Sequence, residues 1–259
     1  MKRRTLILGA AAGVAAPAVA GATPAAAVVT DRDAGGSVPT GPLPRRYLGK
    51  TKADKLTTLP ADTRQVILVN ATGYGTSYAT LESFTLSGRR WRPVSAPLPA
   101  RIGSKGFSDN HVEGGATTPT GAYAIGPTMY GIAASPGVRY PYHRLVTNDW
   151  WNGNPESAAY NTFQHTSTNP GGWSEALWTV KPAYTHFAVI TYNMPPTVPK
   201  PVPYAGSAIF LHEFSTAGGN ATAGCVGLSH DHLVGVLRWL DPRANPRIVM
   251  CPVQNLSRY

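Results

Sequence analysis

Apolar residues fall in short runs separated by turns. Val66, Ile67, Leu68 and Val69 stand together within residues 64–71, the pattern of a buried strand. Residues 78–86 follow with Leu81 and Phe84, Ser87-Gly88 marks a turn, and residues 90–94 alternate around Trp91. That spacing predicts a β-meander. Further strands are predicted in GAYAIG (121–126), THFAVITYN (185–193), GSAIFL (206–211) and PRIVMC (246–251). Residues 101–121 are rich in Gly and turn formers, and PPTVPKPVP (195–203) is a stiff connector rather than a central strand. Only one stretch has a helical face. Leu233, Val236, Leu237 and Leu240 recur at i, i+3, i+4 and i+7, with Ser229 as expected N-cap, Asp231 in the first turn and Pro242 as stop. Residues 140–178 are aromatic, polar and irregular, which predicts a long cap segment with short strands. The pattern describes a mainly β protein with one late helix and no internal repeat.

The first residues do not belong to that pattern. Lys2, Arg3 and Arg4 precede an uncharged stretch from Thr5 to Val29, with small-residue cleavage sites after Ala20 and Ala27. Residues 1–27 therefore read as a secretory signal peptide, and Arg3-Arg4 also suits the twin-arginine route, which a Sec signal resembles. Residues 28–60, with Gly-Gly-Ser and scattered Pro, read as a flexible linker, and 61–259 as one catalytic-size domain. No later stretch is long and apolar enough to span a bilayer, so no stable membrane span is expected after processing.

Composition narrows the class. The chain is 42% hydrophobic and 14% charged, which is globular. Its net charge of +10 at pH 7 suits an exported protein meeting anionic cell-wall polymers. Nucleic acid is a poor fit, because the positive residues do not run together. Two cysteines, Cys225 and Cys251, are too few for a disulfide scaffold but enough for one disulfide or one reactive thiol.

His212 and Cys225 are the candidate pair. A thiol must become a thiolate to attack a carbonyl, and a neighbouring imidazole is a common way to make it one. The connecting residues are mostly Gly, Ala, Ser, Thr and Asn, so the chain can fold back at small closure cost. Gly224 permits a sharp bend, and the amides of Gly224 and Cys225 can face an oxyanion. The following helix would favour a thiolate if its N-terminus were aligned. Taken alone, the same residues more often describe a buried thiol beside a core histidine.

IFLHEF and TAGCVGLS, followed by a helix and DPRANPRIVM, resemble the active-site segment of the YkuD-type L,D-transpeptidase catalytic domain family. TTPTGAYAIG and the early meander extend the resemblance over roughly residues 63–252. The resemblance implies a YkuD-like β-sandwich. It implies Cys225 as nucleophile, His212 as base, Thr222 at the motif hydroxyl, Gly224 as motif glycine and the Glu213 carbonyl as the group orienting the imidazole. It also implies peptidoglycan stem peptides as partners and substrates, a thioester intermediate and no metal or organic cofactor. Ala223 stands where the common motif has His, and Gly227 where Asn or Arg is usual. These departures bear on whether the reaction is cross-linking or carboxypeptidase-type hydrolysis, and a non-catalytic wall-binding module is the alternative class.

Other residues stand apart. His230 and His232 are two apart and face different directions on a helix, unlike a zinc pair. Nothing selects among His111, His143, His165 and His186. Glu113 reads as a turn carboxylate. Trp150, Trp151, Tyr160 and Trp173 suit either a substrate platform or packing, and Cys251 reads as a core residue.

Overall fold

The run Val66–Val69 sits where two layers of core meet. It belongs to β1 (Gln65–Ala71), every residue of which is buried, so the run is continuous rather than alternating. The computed structural model describes residues 49–215 and 217–259. The expected leader and the linker up to residue 48 lie outside the described residues. Then come β2 (Tyr78–Ser87), β3 (Arg90–Pro93), β4 (Leu98–Arg101) and the short β5 (Phe107–Ser108) and β6 (Thr118–Pro119). The middle of the chain holds β7 (Gly121–Gly131), β8 (Tyr142–Arg144), β9 (Asp149–Asn152), β10 (Thr162–His165) and β11 (Glu175–Ala176). The last part holds β12 (Phe187–Ile190), β13 (Phe210–Glu213), β14 (Val226–Leu228), α1 (His230–Trp239) and β15 (Arg247–Pro252).

β1 pairs in parallel with β15 and antiparallel with β2. From β15 the ladder runs through β7, β12, β13, β14 and β4 back to β2. The fold is mainly β as expected, and its principal sheet closes on itself, which removes the edges of its central strands. β3 and β8 are appended to β2 and β7. Alternation along β1 feeds two cores. Ile67, Val69 and Ala71 join Leu81, Met250 and the α1 residues Leu233 and Leu237. Val66 and Leu68 join Phe84, Val249, Cys251 and Leu256.

The cap carries short strands, as its sequence predicts. β10, β9 and β11 form a three-stranded sheet of their own. α1 lies where its apolar spacing predicts. Ser229 occupies the N-cap position, but its side chain makes no capping bond; its carbonyl accepts the Leu233 amide at 2.9 Å. Among the described residues no helix is long and apolar enough to cross a membrane.

The linker expected over 28–60 gives way to packed structure earlier than the sequence indicates. Lys52–Lys55 form a turn of 3-10 helix, Thr51 and Asp54 form a capping box, and Ala53 is fully buried against Val66 and Leu68. Lys52 Nζ meets Glu82 Oε1 at 2.5 Å. The amides of Thr57 and Thr58 donate to the Tyr259 carbonyl at 2.6 and 2.7 Å. The segment escapes a pattern search because only Ala53, Leu56 and Leu59 offer it apolar contact. A chain starting at Thr63 is expected to be roughly 2–4 kcal/mol less stable than one starting at Lys50, since truncation uncovers Val66 and Leu68. Thermal denaturation of the two chains checks this, and equal melting temperatures would remove the segment from the core.

Candidate functional site

β13 and β14 run in parallel with Leu211 opposite Val226 and His212 opposite Gly227. Side chains alternate, so Leu211, Val226 and Leu228 enter the main core while Phe210, His212 and Cys225 share the other face. Cys225 immediately precedes β14, beside Phe210, whose amide donates to Sγ at 3.3 Å. His212 and Cys225 both line one cleft of about 350 Å³. His212 lies inside the strand rather than after it. The expected strand 206–211 starts late because the backbone turns through positive φ at Gly206 (106°) and Ala208 (55°). That turn presents the Ala208 carbonyl to the thiol, which donates to it at 3.1 Å.

The turn before Cys225 is held by two threonines. Thr222 Oγ1 accepts the Gly224 amide at 3.1 Å and donates to the Cys225 carbonyl at 2.7 Å. The Gly224 amide, expected as an oxyanion donor, is thus already engaged. Thr118 Oγ1 accepts the Gly103 amide at 2.8 Å and donates to the Gly224 carbonyl at 2.7 Å. Gly224 is required by crowding more than by a bend: a Cβ there would lie 2.9 Å from the Thr117 carbonyl and 3.1 Å from Ile209 Cδ1. Gly227 is similarly covered, because its Cβ would approach Phe214 Cδ1 to 3.2 Å.

The YkuD model, described as the L,D-transpeptidase catalytic domain, matches residues 64–250. The chain belongs to this family. A solved structure of Bdellovibrio bacteriovorus Bd1075 is similar at 15% identity and a TM-score of 0.37, covering 75% of this chain and 50% of that one. This chain therefore spans about half the length of that protein. No curated protein matches the chain.

Within the YkuD domain the imidazole and thiol are both buried. His212 Nδ1 bonds the Glu213 carbonyl at 2.5 Å. Burial pushes the His212 pKa down, against that bond and the Glu213 charge. Burial pushes the Cys225 thiol up, the Glu175 charge adds to this, and the Phe210 amide opposes it. Along the chain, β14 separates Cys225 from the start of α1. Cys225 and Cys251 are both free thiols. Cys251 lies in the separate core under β1, so a disulfide between them is ruled out in this fold.

Several cleft residues carry no sequence signal. His111 lines the cleft, bonds Thr117 Oγ1 through Nδ1 at 3.0 Å, and burial lowers its pKa to about 4. Glu113 also lines it and accepts the Tyr160 hydroxyl. Glu175, on β11, accepts the hydroxyl of Tyr184, whose ring stands edge-on to His212 at 5.8 Å. No motif marks these side chains, since their strands and loops are distant in sequence. Of the four proposed platform aromatics, only Trp173 is a half-exposed wall of the cleft. Trp151 packs edge-on against Phe210 at 4.9 Å, Trp150 against Trp178 at 5.1 Å, and Tyr160 is buried. His143 and His165 pair with Asp149, His186 with the Tyr142 hydroxyl, and His230 with Glu213.

Asn161 ties the cap to this site. Its Oδ1 accepts from Trp151 Nε1 (2.8 Å) and the Ala208 amide (3.1 Å), and its Nδ2 donates to the Tyr192 and Asn193 carbonyls. All four hydrogen bonds of an amide side chain are made. Thr118→Val is expected to cost about 2–3 kcal/mol, because it orphans the Gly103 amide and the Gly224 carbonyl. Urea denaturation measures this, and Thr118→Ser should recover most of the loss.

Proposed function

We propose that the chain is an exported cysteine L,D-transpeptidase acting on peptidoglycan stem peptides, with Cys225 as nucleophile and His212 as base. The observation that carries the reading is the parallel β13–β14 register, which sets imidazole and thiol on one face of one cleft. With Nδ1–H donating to the Glu213 carbonyl, the lone pair of His212 is left on Nε2. That nitrogen takes the thiol proton in place of the Ala208 carbonyl. The thiolate attacks the carbonyl between an L-centre and D-Ala. The S–C bond forms, the C–N bond breaks, and His212 returns the proton to the departing D-Ala amine. The amine of a neighbouring stem then resolves the thioester; water in its place gives an L,D-carboxypeptidase. Because Thr222 holds the Gly224 amide, the Cys225 amide is the oxyanion donor in this reading. The chain's own groups supply each proton, so the cycle asks for no cofactor. The leader-like residues 1–27 support export and a reaction at the cell wall in this reading.

One observation favours the non-catalytic module instead: the resting thiol is protonated and bonded to a carbonyl rather than to the imidazole. Incubation of reduced protein with disaccharide-tetrapeptide, read by mass spectrometry, decides between them. Loss of D-Ala with a cross-linked dimer is expected, a trimmed monomer would assign hydrolysis, and no product would favour the module. Cys225→Ala should abolish turnover and carbapenem acylation, while Cys251→Ala should spare both.

A further inference from the structure

The cleft has an electrostatic character opposite to that of the whole chain. The net charge is +10, yet among the described residues no Lys or Arg lines the cleft. The titratable groups facing it are His111, Glu113, Glu175, Tyr184, His212 and Cys225. Burial lowers the pKa of both His111 and His212, which favours neutral imidazoles. Glu113 is hydrogen-bonded by Tyr160, and Glu175 by Tyr184. Among the described lining residues, carboxylate charge here faces no Lys or Arg, and a thiolate at Cys225 would add a further negative charge.

Glu175 and Cys225 line the same cleft with Tyr184, which bonds Glu175 and shares a core cluster with Cys225. Tyr184 holds Glu175 through its hydroxyl and sets its ring edge-on to Phe210 at 5.6 Å and to His212 at 5.8 Å. The preceding Ala183 carbonyl accepts the Glu213 amide at 3.1 Å, so the Tyr184 segment is fixed to the strand that carries the base. We propose that Glu175 is a positioning residue that controls ionisation of Cys225: held by Tyr184 on the cleft wall, its carboxyl suppresses the thiolate when charged and releases it when neutral. The role rests on the reading of Cys225 as nucleophile. Burial first, and the Glu113 charge in addition, raise the Glu175 pKa to about 7 against the Tyr184 hydrogen bond, so the control operates near neutrality. As pH rises, Glu175 loses its proton and the adjacent thiol becomes harder to ionise; the two titrations are coupled.

Alkylation of Cys225 by iodoacetamide tests this without requiring turnover. The S–C bond forms, iodide leaves and the thiol proton passes to solvent. The reduced full chain is labelled between about pH 5 and 9, with the site assigned by peptide mass. Glu175→Gln should label about fivefold faster than wild type near pH 8 and match it near pH 5.5, where the native carboxyl is neutral. Tyr184→Phe removes a bond that favours the charged carboxylate, so Glu175 ionises at higher pH and labelling between about pH 7 and 8 rises by a smaller factor. A folded Glu175→Gln whose profile superimposes on wild type, or labels more slowly, overturns the proposal. If that variant does not fold, the Tyr184→Phe profile decides, and no change there overturns it. Stem-peptide turnover is measured alongside. A shifted profile without turnover in the wild type supports the charge control and defeats the transpeptidase reading; unchanged profiles with turnover do the reverse.

Discussion

The parallel pairing of β13 with β14 is the constraint on which the site depends. Parallel neighbours cannot be joined by a tight hairpin and need a long connection. Residues 214–225 supply it, and their return brings Cys225 beside Phe210 with His212 two residues further along the same face. A one-residue slip in that register would send the thiol toward the main core and bring Val226 to the cleft. The register is protected from both sides, because Leu211, Val226 and Leu228 must stay in the main core and Thr222 and Thr118 fasten the turn.

The same burial that fixes the geometry opposes the chemistry. Desolvation disfavours both the imidazolium and the thiolate, so the resting pair is neutral and the thiol rests on the Ala208 carbonyl. The pair can ionise only if fixed dipoles and substrate take the place of water around the new charges. Polar groups near the site are correspondingly committed: the Gly224 amide to Thr222, the Gly224 carbonyl to Thr118, and the Asn161 amide to four partners. Such networks hold a site rigid, since losing one partner leaves another buried and unpaired.

The cap contributes to the site from a distance. Its Trp151 packs under Phe210, its Asn161 positions the Ala208 amide, and its Glu175 reaches the cleft wall. The aromatic residues that looked like a substrate platform mostly build this support, and Trp173 alone among them faces the opening.

The sequence by itself determined the strand-rich class, the single amphipathic helix and the YkuD likeness, and it singled out His212 and Cys225 as candidates. Those features are local: hydrophobic period, turn residues and a short motif report on their own neighbourhood. The packing of the segment 51–59 against β1 escaped, because its few apolar contacts repeat with no period. The strand order, with its closed circuit, was not legible either, because ladder partners such as β1 and β15 lie far apart in the chain. Only the tertiary structure decided that Cys251 lies in another core, that the Gly224 amide is engaged, and that His111, Glu113, Glu175 and Tyr184 line one cleft with Cys225. Each of these is a meeting between distant segments, and burial and field at a point in space depend on every segment that arrives there.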